Sequence, residues 1–144
     1  MPVPAKYFDL QGFAHGAIFA ADLPVWTALD RLEAYLAGFF AGSWPLKGRT
    51  GLVTSAIAIV GGEVREGVEV RQGRKGRAVA YAGGAPLERA AIIMAGAYLF
   101  DDRVILGPGT IVEPGALIKG PAVIGSDTEI RQGAYLRGEC LAGA

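Results

Sequence analysis

Val104-Ile-Leu-Gly-Pro-Gly, Thr110-Ile-Val-Glu-Pro-Gly, Ala116-Leu-Ile-Lys-Gly-Pro, Ala122-Val-Ile-Gly-Ser-Asp, Thr128-Glu-Ile-Arg-Gln-Gly, Ala134-Tyr-Leu-Arg-Gly-Glu and Cys140-Leu-Ala-Gly-Ala follow one another as consecutive sixes. The third place of each six holds Leu106, Val112, Ile118, Ile124, Ile130, Leu136 and Ala142, while the first holds Val, Thr, Ala, Ala, Thr, Ala and Cys. A small inward residue thus alternates with a large one. A helix repeats every ~3.6 residues and a plain strand every two. A period of six needs short strands joined by tight corners, whose backbone angles favour Gly, Pro or Asp. Such hexads mark a parallel β-helix.

Upstream, Glu63-Val-Arg-Glu-Gly-Val and Glu69-Val-Arg-Gln-Gly-Arg repeat each other at six, and the second echoes Glu129-Ile-Arg-Gln-Gly. Val64 and Val70 precede Leu106 by 42 and 36 residues, multiples of six, so they are expected to share its phase. The stretch at about 73–89, with its basic residues, Gly83-Gly84 and Pro86, breaks the pattern and reads as an excursion, in the manner of a hairpin. Ile92, Ile93, Met94, Tyr98 and Phe100 then re-enter it. Before the repeats, residues 22–40 read as an amphipathic helix. Asp22 stands as cap, Pro24 lies in the first turn, Val25, Leu29, Leu32, Leu36 and Phe39 form the apolar stripe, and Gly38 or Gly42 ends it. Residues 43–51 have no period and read as a connection. The expected organisation is therefore an N-terminal segment over 1–50 and a hexapeptide-repeat domain over 51–144. The fold class is mainly β, with an N-terminal helical segment.

Composition narrows the function. At 144 residues the chain is one domain with at most a small appendage, and its 51% apolar content excludes disorder. Fourteen basic residues balance fourteen acidic ones, which argues against nucleic acid or an anionic membrane as the main partner. Cys140 is the only cysteine, so neither an intrachain disulfide nor a cysteine-rich metal site can form. Residues 12–21 are apolar, but the only leading charge is Lys6, diluted by Asp9 and two prolines, which makes a poor signal peptide. The expectation is a soluble protein of the reducing cytoplasm.

The hexads resemble those of the left-handed parallel β-helix acyltransferases. The stretches Ala95-Gly-Ala-Tyr-Leu-Phe-Asp-Asp, Gly107 through Gly125, and Glu129-Ile-Arg-Gln-Gly-Ala-Tyr-Leu-Arg-Gly resemble the C-terminal region of bacterial sugar-phosphate nucleotidyltransferases. The likeness is greatest to those paired with glucosamine-1-phosphate acetyltransferase activity. It covers residues 52–144 best. It implies a short left-handed coil, contrary to the usual crossover hand, with three hexads per turn. It also implies a homotrimer with acetyl-coenzyme A bound between subunits, a sugar phosphate or nucleotide sugar as partner, and a place in nucleotide-sugar or cell-envelope precursor synthesis.

With three hexads per turn, positions 18 apart stack on neighbouring strands. Glu113 is then expected beside Arg131 as an ion pair, and Asp101, Lys119 and Arg137 form a second column in which two cations sit side by side. These cations are either two solvated side chains or a clamp for a phosphate. Arg137, in Tyr-Leu-Arg-Gly, aligns with an arginine that binds the sugar phosphate in the resembled acetyltransferases, although Gly138 stands where they usually have proline. The basic run Arg71, Arg74, Lys75 and Arg77 is either a solvated loop or a contact for coenzyme A phosphates, and it lacks the rest of a P-loop. His15, the only histidine, lies outside the hexads and does not match the family's catalytic histidine. Cys140 occupies a small inward place and reads as packing. Tyr98 and Tyr135 read as surface or interface aromatics.

The resemblance places the catalytic histidine in coils beyond the segment matching Arg137, and the sequence ends at Ala144 in mid-hexad. No glycine-rich nucleotidyltransferase loop opens the chain either. The expectation is a domain cut short at its C-terminus, or one whose last coil is covered by a partner. Two functions stay open: a sugar-phosphate acetyltransferase-type enzyme with its general base unassigned, and a non-catalytic trimerising or regulatory module.

Overall fold

The computed structural model describes residues 1–143, which divide into two compact units, 1–42 and 43–143. The first unit holds two single 3₁₀ turns, Pro4–Lys6 and Gly16–Ile18, and one helix, α1, Thr27–Phe39. The helix starts five residues later than its sequence pattern suggests. Asp22 makes no cap, and the Thr27 hydroxyl donates to the Pro24 carbonyl at 2.7 Å, closing the turn that Pro24 begins. Ala28 and Leu36 are buried and Leu32 is half-buried, whereas Leu29 is 71% exposed. The buried stripe therefore runs through 28, 32 and 36, one residue off the expected stripe at its start. No helix among the described residues is long and apolar enough to cross a membrane.

The second unit begins at Ser43, so residues 43–50 belong to it and are more than a connection. Leu46 is fully buried in its core, the Trp44 indole donates to the Asp102 carbonyl at 2.7 Å, and the Gly48 amide donates to the Asp102 carboxylate at 2.5 Å. Fifteen short strands follow: Gly51–Leu52 (β1), Ile57–Val60 (β2), Glu63–Glu66 (β3), Glu69–Gln72 (β4), Ala78–Ala82 (β5), Ala85–Pro86 (β6), Ala91–Ile93 (β7), Tyr98–Leu99 (β8), Val104–Leu106 (β9), Ile111–Val112 (β10), Leu117–Lys119 (β11), Ala122–Ile124 (β12), Glu129–Ile130 (β13), Tyr135–Arg137 (β14) and Cys140–Ala142 (β15).

From β7 onward each strand pairs, in parallel, with the strand three places later, so the chain visits three sheets in turn. The expected stacking of positions 18 apart is seen here. Val104 stands opposite Ala122 and Ala122 opposite Cys140, Ile111 opposite Glu129, and Leu117 opposite Tyr135, each 18 residues apart. The first places Val104, Thr110, Ala116 and Ala122 and the third places Leu106, Val112, Ile118 and Ile124 are all buried. All of them but Thr110 meet residues from all three sheets in one apolar cluster.

One register differs from the expectation. Ile92 faces Ile111 and Tyr98 faces Leu117, an offset of 19. Four residues, 100–103, separate Leu99 from Val104, where only Lys119, Gly120 and Pro121 separate the equivalent Ile118 from Ala122. That extra corner residue moves everything before Val104 out of phase by one.

The upstream echoes do not form coils. The strand β2 runs antiparallel to both β3 and β7, and β1 runs antiparallel to β8, so two sheets are mixed. Val64 lies opposite Ile59 in a hairpin, and Val70 lies in a separate three-stranded antiparallel sheet, β4-β5-β6. The excursion thus begins at Glu69 rather than at 73. The cause is local. Gly61-Gly62 (φ 57° and 84°) between β2 and β3, and Gly83-Gly84 (φ 57° and 81°) between β5 and β6, put two successive residues in the left-handed region, the two-residue turn that folds a strand back on itself, and Lys75-Gly76 (φ 57° and 77°) do so within the longer connection between β4 and β5.

Ile118 is fully buried among residues of all three sheets. Ile118→Ala is expected to lower stability by about 2–5 kcal/mol, seen as a fall in the urea midpoint at unchanged slope. A loss below about 1 kcal/mol would contradict a shared core at this level.

Candidate functional site

The segments Gly96-Ala-Tyr-Leu-Phe, Gly115-Ala-Leu-Ile-Lys and Gly133-Ala-Tyr-Leu-Arg are three variants of one pentad, and they supply β8, β11 and β14. The fourth residue of each, Leu99, Ile118 or Leu136, points into the core; Leu99 and Ile118 are buried and Leu136 is half-buried. Alternation along a strand then sends the third and fifth residues outward. The third positions Tyr98, Leu117 and Tyr135 are mutual partners in the sheet, and β1 adds Leu52 beside Tyr98. The fifth positions are Phe100, Lys119 and Arg137.

Lys119 and Arg137 are register partners on adjacent parallel strands, about 4.8 Å apart. Both are exposed, and neither side chain makes a hydrogen bond or an ion pair with any of the described residues. The expected first member of the column, Asp101, is displaced by the extra corner residue. Phe100 takes the next position beyond the Leu99–Ile118 pair, and its amide donates to the Ile118 carbonyl at 2.8 Å. Asp101 instead accepts from the Arg103 guanidinium at 2.8 and 3.0 Å and from the Arg103 amide at 2.8 Å. These hydrogen bonds hold its carboxyl below the usual carboxylate range, with a smaller contribution from the Lys119 charge. The cation pair is left without a committed carboxylate.

The expected Glu113–Arg131 ion pair does not form. Arg131 pairs with Glu129, two residues before it on the same side of the chain, at 2.8 Å, while Glu113 accepts from the Gln132 amide at 3.0 Å. The nearer partner on the same segment wins because it needs less side-chain ordering.

Two members of the basic run, Arg71 and Arg77, have intramolecular partners, whereas the side chains of Arg74 and Lys75 make no hydrogen bond or ion pair among the described residues. Arg71 donates twice to Glu69 and lies over the Tyr81 ring at 4.4 Å. Arg77 donates to the Gly109 carbonyl at 2.6 Å and approaches Asp127 at 3.6 Å, where Arg89 also binds at 3.0 Å. These residues, with Leu87, Ile92 and Ile111, line a cleft of about 200 Å³.

His15 belongs to the first unit, buried, with Nδ1 3.0 Å from the Tyr35 hydroxyl and the rings of Phe13 and Phe39 packed edge-on. Cys140 is half-buried against the core, and burial pushes its thiol above its ordinary value, away from a reactive thiolate. No group of three His, Cys, Asp or Glu side chains able to hold a metal ion is found among the described residues.

The sequence reading missed Leu52 and the continuity of Tyr98, Phe100 and Tyr135. The rings of Tyr98 and Phe100 lie 4.8 Å apart and those of Phe100 and Tyr135 6.5 Å apart. Aligning the three pentads at Gly-Ala would have exposed the aromatic set and the one-residue insertion together. No family model, curated protein or solved structure matches this chain.

The first hexad place accepts alanine at 116, 122 and 134. Cys140→Ala is therefore expected to change the unfolding free energy by less than about 1 kcal/mol, whereas Cys140→Leu overpacks the site at a cost of about 1–3 kcal/mol. A thiol-reactive dye at pH 8 should label Cys140 more slowly than free cysteine; faster labelling would contradict the packing role.

Proposed function

We propose that residues 91–143 form a short left-handed parallel β-helix of the hexapeptide-repeat kind, and that the protein is a transferase of the sugar-phosphate acetyltransferase or nucleotidyltransferase type. The 18-residue registers and the pentads support the coil. The single observation that carries the function is the register pair Lys119–Arg137. Two exposed cations side by side repel each other unless an anion lies between them. A phosphate dianion satisfies both: Arg137 offers a planar fork that donates two parallel hydrogen bonds, and Lys119 adds a point charge. The acceptor is a sugar phosphate in a cytoplasmic route to nucleotide sugars or cell-envelope precursors, and the chain assembles as a homotrimer.

The acyl donor in this class of enzyme is acetyl-coenzyme A, which supplies the thioester carbonyl for transfer. Of the four residues first expected to meet its phosphates, Arg71 and Arg77 are engaged by Glu69, Tyr81, Gly109 and Asp127, while the side chains of Arg74 and Lys75 make no hydrogen bond or ion pair among the described residues. The chain's own contribution is to bind and orient the phosphate end of the acceptor, which lowers the entropy cost of any reaction at its other end.

A second reading, a non-catalytic trimerising or regulatory module, is favoured by one observation. The sole histidine is buried in an aromatic cage with its Nδ1 3.0 Å from the Tyr35 hydroxyl, an environment that suits a packed side chain more than a general base. An acetyl-transfer assay with glucosamine 1-phosphate separates the two: turnover supports the transferase, and binding without turnover supports the module.

Arg137→Ala is expected to weaken glucosamine 1-phosphate about 10- to 100-fold, as loss of a charge-assisted hydrogen-bonding pair implies, while glucosamine itself binds equally to both proteins. Titration calorimetry reads this directly. Unchanged affinity for the phosphate ester in the variant would remove the assignment.

A further inference from the structure

We infer that the cleft between the hairpin sheet β4-β5-β6 and the parallel strands is a binding site for a free aliphatic α-amino acid. Its carboxylate lies on Arg77 and Arg89, its ammonium meets Glu88, and its side chain rests on Leu87, Ile92 and Ile111. The cleft lies against β7 and β10, whereas Lys119 and Arg137 stand on β11 and β14 of another sheet, so this site is independent of the phosphate reading.

Both walls belong to the second compact unit. Ala80 of β5 and Leu87 come from the hairpin side, while Ile92 of β7, Ile111 of β10 and the corners at Gly109 and Asp127 come from the parallel coil. Ala80, Ile92 and Ile111 are buried, so packing fixes the floor before any ligand arrives. That floor is aliphatic, and the charged side chains, Arg77, Glu88, Arg89 and Asp127, stand at its rim. An apolar floor with a few convergent polar groups is the usual make-up of a small-molecule site. The space is about 200 Å³, below the about 300–1,000 Å³ of drug-sized sites and enough for about seven waters. It suits a molecule the size of valine or leucine and is too small for a nucleotide.

The rim selects the ligand's charges. Asp127 Oδ2 accepts from Arg89 Nη2 at 3.0 Å, and its Oδ1 lies 3.6 Å from Arg77 Nη2, which donates to the Gly109 carbonyl. A guanidinium offers more N–H groups than these contacts use. The Nε and Nη1 groups of both arginines make no hydrogen bond with the described residues, and such a fork matches a carboxylate. Glu88 is exposed, and its carboxylate has no hydrogen-bond or ion-pair partner among the described residues. Two cations and two carboxylates sum to zero, the net charge of a zwitterion. A phosphate dianion would meet the same guanidiniums but would also face Asp127 and Glu88, and juxtaposed like charges are costly. A fatty carboxylate would leave Glu88 unmatched. The backbone holds the rim in place: Arg89 (φ 51°) and Asp127 (φ 56°) are both left-handed, the Gly109 amide donates to the Arg89 carbonyl at 2.9 Å, and a Cβ at Gly109 would collide with the Asp127 carboxylate. Left-handed backbone is unusual for arginine, and strain of this kind gathers at ligand sites.

Calorimetric titration of the full chain with leucine, glycine, isocaproate, isoamylamine and inorganic phosphate tests the inference. Leucine is expected to bind about tenfold or more tighter than glycine, which carries both charges and no side chain. The same margin of about tenfold is expected over isocaproate and isoamylamine, each of which lacks one charge. Glu88→Gln, a change at an exposed side chain, should weaken leucine about tenfold and leave isocaproate unchanged, while Arg89→Gln should weaken both. Arg137→Ala should bind leucine as the parent does, so the fate of this site and that of the phosphate reading are measured separately. Absence of leucine binding at about 10 mM would overturn the site. Glycine or isocaproate binding as tightly as leucine, or phosphate binding more tightly, would overturn the ligand class. A Glu88→Gln variant with parental leucine affinity would overturn the placement of the ammonium.

Discussion

Ile118 lies between Leu99 on one neighbouring strand and Leu136 on the other, and its complete burial fixes which side chains of that sheet meet water. Side chains alternate strictly along a strand, so a one-residue slip would turn Lys119 and Arg137 into the core and Ile118 and Leu136 out of it. Two unpaired cations cannot be buried at tolerable cost. The aliphatic third place of each hexad therefore determines the outward column as firmly as it determines the core, and the candidate site depends on the packing beneath it.

The small first place has a different part. Thr110 is fully buried and its hydroxyl donates to the Gly125 carbonyl at 2.7 Å, tying one corner to the next turn of chain. Alanines at 116 and 122 leave room for the large residues of the facing sheets. Large and small residues alternate, and the three sheets interdigitate over a narrow core without leaving buried side-chain polar atoms unsatisfied among the described residues.

The corner at residues 100–103 shows how one inserted residue redistributes charge. Without it Asp101 would stand in the column of Lys119 and Arg137 and neutralise part of it. With it Asp101 turns to Arg103, and the Asp102 carbonyl and carboxylate receive Trp44 and Gly48. Phe100 moves into the vacated register, which brings an aromatic ring beside the cations. The same shift that frees the cation pair thus completes the row of rings.

The sequence alone determined the hexad core, the outward placement of Lys119 and Arg137, and the packing role of Cys140. Each follows from a strict local period, and periodicity is a property of neighbours along the chain. It did not determine that Glu63–Glu66 and Glu69–Gln72 fold back antiparallel, although their residues echo the coil. A hexad-like strand pairs with whichever edge the adjoining turn presents: Gly61-Gly62 reverse the chain before Glu63–Glu66, and the connection at 73–77, with Lys75 and Gly76 left-handed, reverses it after Glu69–Gln72. Nor did it determine that Arg131 takes Glu129 rather than Glu113, that Arg71 and Arg77 of the basic run take Glu69, Tyr81, Gly109 and Asp127, or that Leu52 joins the aromatic face. These are choices among partners distant in sequence, and only the tertiary structure, by setting which strands are adjacent and in which register, decides them.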